Sequence, residues 1–307
     1  MPLSHSADAL NWFHLLAREK IITQSIRSYI CEQNEISWDI LRTDLIHTVC
    51  SGNKFFKLRY YLEEAISLGH KAVHTYGGAW SNHIVATAFA AQACGIQSTG
   101  YIRGEEPAVW SQTLKDAQAY GMKLVFLPRA AFDQEASSTF HLPTSTLIPM
   151  GGYGVKGAKG ASEILHYAAH QNYTHIFCAA GTGTMAAGLC QTAGEAAVWV
   201  VNVVGMNNPI TNNLLTAIQS LTPNATLTIL NAAFGGFAKS SPALIDFINR
   251  FYQQNSIPTD FVYTARLMFA IEDLLHKKVL PKGSRILAIH SGGLQGNNSL
   301  KSGLLGF

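Results

Sequence analysis

Two lysines three residues apart lie at the predicted start of a helix, in the segment SGNKFFKL of residues 51–58. A lysine is nucleophilic only when its amine is partly deprotonated, and burial or nearby positive potential lowers its pKa. Lys54 falls in the first helical turn, where the helix dipole is positive, and Lys57 is a second cation on the same helical edge. Gly52 allows another group to approach closely, and Asn53 can cap the helix. The segment is a candidate site for a nucleophilic lysine; taken alone, it fits two surface lysines at an ordinary helix start at least as well.

A turn of glycine and threonine joins a predicted strand to a predicted helix in HIFCAAGTGTMAAGL, residues 175–189. Backbone N–H groups at the start of a helix have no intrahelical acceptor, so they bind anions. Gly181 and Gly183 let the backbone turn tightly, and the hydroxyls of Thr182 and Thr184 add donors that a simple packed turn does not require. The segment therefore predicts a phosphate site.

The same segment also fits the dinucleotide-binding pattern, with Gly181, Gly183 and Ala186 in the required places. That pattern needs an acidic residue at the end of the next strand to bind the ribose. The next predicted strand ends in VVNVVG, residues 200–205, which has no Asp or Glu. The pattern favours a monophosphate over NAD.

A second strand, glycine turn and helix start occur in TYGGAWSNHIVA, residues 75–86. Ser81 and Asn82 would lie at the N-terminus of the helix, where the dipole and free N–H groups favour a carboxylate. A serine that only caps its own helix is an equally good interpretation.

Two segments near the C-terminus carry further polar candidates. In VYTARL, residues 262–267, Tyr263 could act as an acid or base and Thr264 as a hydrogen-bond donor, although a structural tyrosine is the better interpretation of this segment alone. In HSGGLQGN, residues 290–297, Ser291 follows the last predicted strand, where ligands bind in open α/β sheets. A hydroxyl there could pair with a ring nitrogen.

Histidines offer a competing hypothesis of metal binding. His166 and His170 have the i, i+4 spacing of a helical metal site, and His175 is close in sequence. The glutamate of the HExxH motif is missing, and no third ligand is obvious. We therefore expect no metal site, and interpret these histidines as an exposed helix edge.

The elements that must position these residues alternate between helix and strand. Continuous apolar strands between amphipathic helices predict parallel sheets covered by helices on both faces, and about nine strand signals favour two α/β domains. The predicted helices are 53–68, 81–94, 109–120, 157–171 and 184–195. The predicted strands are 72–76, 97–102, 123–127, 146–150, 174–180, 197–204 and 285–290. Residues 130–145 are predicted to be irregular.

Composition narrows the class of protein. The 307 residues are 48% apolar and 13% charged, which indicates a globular chain. The net charge of +3 has no basic block, so nucleic acid is not an expected partner. The apolar stretch 176–206 is interrupted by Gln191 and Glu195, so no membrane span is expected. Five cysteines without a CxxC pair, and a start unlike a signal peptide, favour the cytoplasm.

Taken together and in order, the motifs resemble the 1-aminocyclopropane-1-carboxylate deaminase and D-cysteine desulfhydrase family, over residues 35–300. That family has the two-domain tryptophan synthase β-like fold, fold type II of the pyridoxal phosphate enzymes. The resemblance is carried by LRTDLIHTVCSGNKFFKLRYYL (41–62), TYGGAWSNHIVATA (75–88), IPMGGYG (148–154), CAAGTGTMAAGL (178–189), DFVYTARLMFAI (260–271) and IHSGG (289–293).

The resemblance implies a place for the cofactor, pyridoxal 5'-phosphate. Lys54 would hold it as an imine, Asn82 would lie beside its ring, and Ser291 would meet the pyridine nitrogen. Its phosphate would be held by the turn of Gly181, Thr182, Gly183 and Thr184.

The resemblance also implies a small amino acid as the substrate. Lys54 would take its Cα proton, and Ser81 would hold its carboxylate or assist proton transfer. Asn82, Tyr263 and Thr264 would contact it.

The domain division and the oligomeric state follow from the same resemblance. A small domain of residues 65–160 would be inserted in a large cofactor-binding domain of residues 1–64 and 161–307. The substrate would bind between them, and the protein would be a homodimer.

Five positions bear on the reaction. The deaminases have a glutamate after the tyrosine and a leucine near the ring nitrogen, where this chain has Thr264 and Ser291. Hydroxyl residues at both places resemble the desulfhydrases, so the resemblance predicts β-elimination from D-cysteine, with 1-aminocyclopropane-1-carboxylate deamination as the alternative. The chain departs from the family at Phe55 and Phe56, and at Trp80, which replaces a glutamine and could reshape the carboxylate side of the pocket.

Overall fold

The fold was determined from a computed structural model, which describes residues 17–135, 144–168, 172–204, 214–224, 226–231 and 236–307. The strands in this part of the chain are β1 (Thr23–Ser25), β2 (Ser37–Leu41), β3 (Ala72–Gly77), β4 (Gln97–Arg103), β5 (Lys123–Leu127), β6 (Ser145–Ile148), β7 (His175–Ala180), β8 (Ala197–Asn202), β9 (Leu227–Asn231) and β10 (Arg285–Ile289). The α-helices are α1 (Tyr29–Gln33), α2 (Asn53–Ser67), α3 (Asn82–Ala93), α4 (Gln112–Ala119), α5 (Arg129–Glu135), α6 (Val155–Ser162), α7 (Thr184–Thr192), α8 (Leu214–Leu221), α9 (Pro242–Asn255) and α10 (Thr264–His276).

The strands form two sheets. The larger has the order β1-β2-β10-β7-β8-β9 and the smaller has the order β5-β4-β3-β6. Every pairing is parallel except that of β1 with β2. Parallel strands need a crossover between them, and helices such as α3 and α7 provide it. The predicted α/β fold with parallel sheets is therefore confirmed.

The chain leaves the larger sheet after β2, builds the whole smaller sheet, and returns at β7. The apolar core is continuous across this insertion, because Val73 and Ile148 of the smaller sheet belong to the same buried cluster as Leu58 and Leu287. Helix α6 packs on α2 and α7. The division at residues 65 and 160 stays a prediction.

Helix α2 lies between the two sheets and is buried on more than one side. Its apolar face of Phe55, Leu58, Leu62 and Ile66 is buried except for the half-buried Ile66, and Phe56 is buried as well. Phe56 packs edge-on against Tyr167. Neither phenylalanine lines the cavity described below, so the departure from the family at these positions falls in the core.

Some predicted boundaries were wrong. The helix expected over 109–120 begins at Gln112, because the hydroxyl of Ser111 accepts from Leu114 N and caps it. Residues 130–145, expected to be irregular, include most of α5 and the first residue of β6. The helix expected over 157–171 is α6 followed by a 3₁₀ turn, Ile164–Tyr167.

The structure also bears on metal binding and on membrane spans. His166 is exposed and lies in the 3₁₀ turn, not in an α-helix, and His170 lies outside the described residues. Across the described ranges, we find no group of three His, Cys, Asp or Glu side chains arranged to hold a metal ion. None of the helices in these ranges has both the length and the apolar character needed to cross a membrane.

Candidate active site

A cavity of about 680 Å³ lies where the carboxyl ends of β3, β7 and β10 meet the N-terminal part of α2. This volume is within the usual range for small-molecule sites, and the ends of parallel strands are where ligands bind in α/β folds. Most of its wall is apolar. Both sheets contribute to the wall, so motifs from separate segments of the sequence meet in one cavity.

The backbone just before Lys54 contacts the backbone of Ser291. Gly52 precedes α2 with φ of 59°, and a Cβ at this position would lie 2.0 Å from Ser291 O. Only glycine avoids that clash, which confirms the predicted close approach. Gly52 itself is the residue that precedes the helix, and Asn53, predicted to cap it, is instead its first residue. Asn53 N donates to Ser291 O at 3.2 Å.

Lys54 has the properties of a nucleophilic amine. Its side chain lines the cavity and its Nζ donates to Asn53 Oδ1 at 3.2 Å. Burial lowers the pKa of Lys54 to about 8, an effect that nearby Cys50 and Asp260 partly offset. A substantial fraction of the amine is therefore unprotonated near neutral pH and can attack an aldehyde.

The glycine and threonine turn follows β7 and leads into α7. Gly183 is in the left-handed conformation with φ of 76°, and no side chain caps the helix. The first backbone N–H groups of α7 thus remain available to an anion. Gly181, Thr182 and Gly183 line the cavity, while the buried Thr184 hydroxyl lies 3.0 Å from the Thr182 hydroxyl.

Lys57 is a buried second cation beside this turn. Its Nζ donates to Gly151 O at 3.3 Å, and a Cβ on Gly151 would lie 3.0 Å from the Thr182 methyl. Burial, and then the positive charge of Lys54, hold the pKa of Lys57 well below its usual value. A phosphate bound at the turn would favour the charged form of this lysine.

The smaller sheet contributes the start of α3. Ser81 precedes this helix, and its hydroxyl accepts from His83 N at 3.3 Å. Asn82 Nδ2 donates to Gly293 O at 3.3 Å, whereas Asn82 Oδ1 is buried without a partner in the described part of the chain. Both residues line the cavity, so the turn of the smaller sheet faces the turn of the larger one.

Tyr263 and Thr264 have different surroundings. Tyr263 lines the cavity, and its hydroxyl oxygen lies 3.5 Å from the position of a Cβ on Gly181. Burial, and then the Asp260 carboxylate, raise the pKa of the Tyr263 phenol, so it stays protonated at neutral pH and can donate a hydrogen bond.

Thr264 is fully buried and does not line the cavity. Its hydroxyl donates to Asp260 Oδ1 at 2.7 Å. The structure therefore does not bring Thr264 to the place of a substrate contact, contrary to our expectation. Its hydrogen bonds with Asp260 instead stabilise the start of α10.

Trp80 lies at the opening of the cavity. Its side chain lines the wall and remains 46% exposed. Phe237, which also lines the wall, is 44% exposed and packs edge-on against Tyr263. Two exposed aromatic rings thus border the opening, and Trp80 leaves room for a small ligand inside it.

These residues fit pyridoxal 5'-phosphate. The group needs an amine to hold its aldehyde, donors for its phosphate and polar partners for its ring. Lys54, the uncapped start of α7 and the unpartnered amide oxygen of Asn82 supply these in one cavity. Ser291 is also in the wall, so a hydroxyl is available for the ring nitrogen.

The fold and the site are those of an enzyme that depends on pyridoxal 5'-phosphate. Residues 42–292 match the family model described as pyridoxal-phosphate dependent enzyme, and the chain belongs to this family. Pyridoxal 5'-phosphate is accordingly its cofactor, as predicted.

Two relatives with named activities match most of the chain. The chain is 28% identical over 283 residues to a Pyrococcus horikoshii protein named "Putative 1-aminocyclopropane-1-carboxylate deaminase", covering 84% of each chain. It is 24% identical to the mitochondrial bifunctional D-cysteine desulfhydrase/1-aminocyclopropane-1-carboxylate deaminase of Arabidopsis thaliana, covering 84% of this chain and 72% of the relative. These are the two activities named by the predicted resemblance.

Solved structures support the fold. The crystal structure of a 1-aminocyclopropane-1-carboxylate deaminase homologue has a TM-score of 0.76 and 24% identity, over 90% of both chains. A fungal L-serine ammonia-lyase from Rhizomucor miehei has a TM-score of 0.65 and 13% identity, over 89% of this chain and 94% of its own. The fold predicted from the resemblance is confirmed.

The sequence did not single out two residues of this region. His83 is a buried member of the cavity wall, and its place directly after Ser81 and Asn82 was the available signal. Asp260 accepts from the backbone N–H groups of Val262 and Tyr263 and so orients the tyrosine. These N–H groups lie two and three residues after Asp260, the local spacing at which an aspartate accepts from the backbone that follows it.

Proposed function

We propose that this protein catalyses β-elimination from a small amino acid, with D-cysteine converted to pyruvate, hydrogen sulfide and ammonia. One observation carries the proposal. The Lys54 amine, with its lowered pKa, opens into a cavity that has an uncapped helix start on one side and the Ser81 helix start on the other. A phosphate and a substrate carboxylate would each have a separate site.

Binding would be divided between the two sheets. The turn of Gly181 to Thr184 would hold the phosphate, and Lys57 would balance its charge. Ser81 and the first N–H groups of α3 would hold the substrate carboxylate. Ser291 would pair with the ring nitrogen, which keeps the ring in one orientation.

Pyridoxal phosphate supplies an electron sink that stabilises negative charge at the Cα of a bound amino acid. Lys54 would hold the cofactor and, once displaced by the substrate amine, would take the Cα proton. Tyr263 would donate a hydrogen bond to the departing sulfur, since its raised pKa keeps the phenol protonated. One water molecule is consumed overall, because the three-carbon product hydrolyses to pyruvate and ammonia.

The choice of D-cysteine is supported by the resemblance to the desulfhydrases, which have a hydroxyl residue at the position of Ser291 in the cavity wall. Their hydroxyl residue at the position of Thr264 falls outside the cavity and does not bear on the choice. Deamination of 1-aminocyclopropane-1-carboxylate to 2-oxobutanoate is the second candidate. It is supported by the names of the relatives from Pyrococcus horikoshii and Arabidopsis thaliana.

The two reactions release different products, so one assay separates them. The purified yellow protein is given D-cysteine, L-cysteine or 1-aminocyclopropane-1-carboxylate, and sulfide, pyruvate and 2-oxobutanoate are measured. We expect sulfide and pyruvate in equal amounts from D-cysteine. Release of 2-oxobutanoate without sulfide would replace the first candidate with the second.

The matched control tests the lysine. Lys54→Ala should lose the imine absorbance and about 10³-fold or more of the activity, because both the anchor and the base are removed. Lys115→Ala, at an exposed position of α4, should leave both unchanged. A Lys54→Ala protein that keeps its absorbance would contradict the assignment.

A further inference from the structure

His83 is held in one tautomer by two hydrogen bonds of Thr75. His83 Nε2 lies 2.8 Å from Thr75 Oγ1, and Thr75 Oγ1 lies 2.8 Å from Ile148 O. A carbonyl oxygen can only accept, so the one hydrogen of the Thr75 hydroxyl goes to Ile148. Thr75 must then accept from His83, which places the ring proton on Nε2.

The other ring nitrogen is consequently an acceptor. His83 is 3% exposed, and its Nδ1 is buried without a partner in the ranges that the structure describes. Burial, and then the charges of Lys54 and Lys57, hold the pKa of His83 well below its usual value, so the ring is neutral. A buried acceptor left unpaired is unfavourable, which indicates that a donor reaches it in the loaded protein.

Lys54 and Lys57 are the two lysine donors whose positive charges act on the His83 ring, and the cofactor would occupy the Lys54 amine, which leaves Lys57. A Cβ on Gly152 would lie 3.0 Å from Lys57 Cβ and 3.8 Å from His83 Cε1, the ring atom between the two nitrogens. The two side chains therefore flank the same glycine. A lysine ammonium has three N–H donors, and Gly151 O accepts from one of them at 3.3 Å.

We propose that His83 is a positioning residue, which accepts from the Lys57 ammonium through Nδ1 and so directs that ammonium to the phosphate of the cofactor. Gly151 O, the phosphate and His83 Nδ1 would then occupy its three donors. The inference deepens the proposed function, since it rests on the phosphate lying at the turn of Gly181 to Thr184.

Two substitutions separate the two nitrogens of the ring. His83→Gln keeps an amide N–H near Nε2 for Thr75 but has no acceptor at the position of Nδ1. His83→Asn has an amide oxygen near the position of Nδ1 but does not reach Thr75. Binding of pyridoxal 5'-phosphate and of pyridoxal, which lacks the phosphate, is measured for each holoprotein by cofactor release on dilution.

We expect His83→Gln to weaken pyridoxal phosphate binding about tenfold to a hundredfold, the value of a hydrogen bond to a charged group. Pyridoxal binding should change less than about threefold, because no phosphate is present to be oriented. His83→Asn should keep binding of both within about threefold. Equal weakening of both ligands by His83→Gln, or no weakening, would overturn the inference.

Lys57→Met distinguishes failure of this inference from failure of the proposed site. It should remove most of the preference for pyridoxal phosphate over pyridoxal. If Lys57→Met has this effect and His83→Gln does not, the phosphate site stands and the role of His83 is wrong. If Lys57→Met does not change the preference for pyridoxal phosphate, both the phosphate site and the role of His83 are wrong.

The tautomer can be measured in the unsubstituted holoprotein, which avoids any folding defect of the variants. With ¹⁵N-labelled histidine, the signals absent from His83→Asn should show a protonated Nε2 and an unprotonated Nδ1. Thr75→Val should allow the other tautomer to form. A protonated Nδ1 in the unsubstituted holoprotein would overturn the inference.

Discussion

Two helices begin at the cavity, and they differ in how their first backbone N–H groups are satisfied. Helix α7 follows β7 of the larger sheet, and Gly183 before it has no side chain to cap it. Helix α3 follows β3 of the smaller sheet, and the Ser81 hydroxyl accepts from one of its N–H groups. The start of α7 is therefore open to an anion, whereas one N–H group at the start of α3 is already bonded to the Ser81 side chain.

The difference suggests how one cavity can hold two anions without exchanging them. A phosphate has three acceptor oxygens and more charge than a carboxylate, so it gains more from an uncapped helix start. A carboxylate can bind where a hydroxyl and the remaining N–H groups are available. Lys57 lies beside the uncapped start, which adds to the preference there.

The difference between the two helix starts is tested most strongly by placing a negative charge at the uncapped start of α7. Gly183→Asp should weaken pyridoxal phosphate binding about 10³-fold, because the carboxylate caps α7 and repels the phosphate. Gly183→Asn is the matched control, since asparagine also tolerates the left-handed conformation but carries no charge. Equal affinities of the two variants in a titration by absorbance would contradict a phosphate at this turn.

The lysine between the two starts should respond to pH with a definite sign. Because the pKa of Lys54 is lowered to about 8, its free amine increases as pH rises toward 8 and is nearly complete above 9. The rate at which the apoprotein captures pyridoxal phosphate should rise about 50-fold from pH 6 to pH 8 and then level off.

The measurement is stopped-flow absorbance at the imine band. A lysine derivative free in solution is the reference, and its rate should continue to rise until about pH 10. A protein rate that follows the free lysine would show that the Lys54 amine is not desolvated.

The capped start can be tested by removing its hydroxyl. Ser81→Ala should raise the KM for the amino acid about tenfold, because one hydrogen bond to a carboxylate is lost. It should also cost about 1 kcal/mol of unfolding free energy as a lost helix cap.

Ser241→Ala is the control, since Ser241 caps α9 through Leu244 N and does not line the cavity. It should cost similar stability and leave KM unchanged. A fall in kcat with unchanged KM in Ser81→Ala would instead assign Ser81 to proton transfer.

The smallest effect is expected at Thr264. Thr264→Ser keeps the hydroxyl that bonds to Asp260, so KM should stay within about twofold. Thr264→Val should lower the unfolding free energy by about 1–3 kcal/mol, because Asp260 loses a buried donor. Unfolding in urea and steady-state kinetics measure the two quantities. A large rise in KM in Thr264→Ser would restore this residue as a substrate contact.

Residue type and position predicted much of the site. Lys54 and the Gly181–Thr184 turn were found because a nucleophilic amine and a phosphate each need a particular local pattern, and both patterns are contiguous in sequence. Gly52 was recognised for the same reason. The parallel sheets followed from alternating apolar strands and amphipathic helices.

What the sequence could not give depends on partners far along the chain or on side-chain direction. The tautomer of His83 is set by the carbonyl of Ile148, which is remote in sequence. The hydroxyl of Thr264 points to Asp260 and away from the cavity, and no periodicity distinguishes these directions. The start of α4 was placed too early because Val109, an apolar residue, precedes the actual cap at Ser111.

The backbone contact between Gly52 and Ser291 affects when the pocket is completed during folding. Residues near the beginning and the end of the described structure meet there, and strand β10 must pair with β2 and β7 before Ser291 is in place. Contacts between such distant segments form slowly during folding. A chain in which β10 has not yet paired would therefore lack the completed pocket, and capture of the aldehyde would report that this long-range pairing had formed.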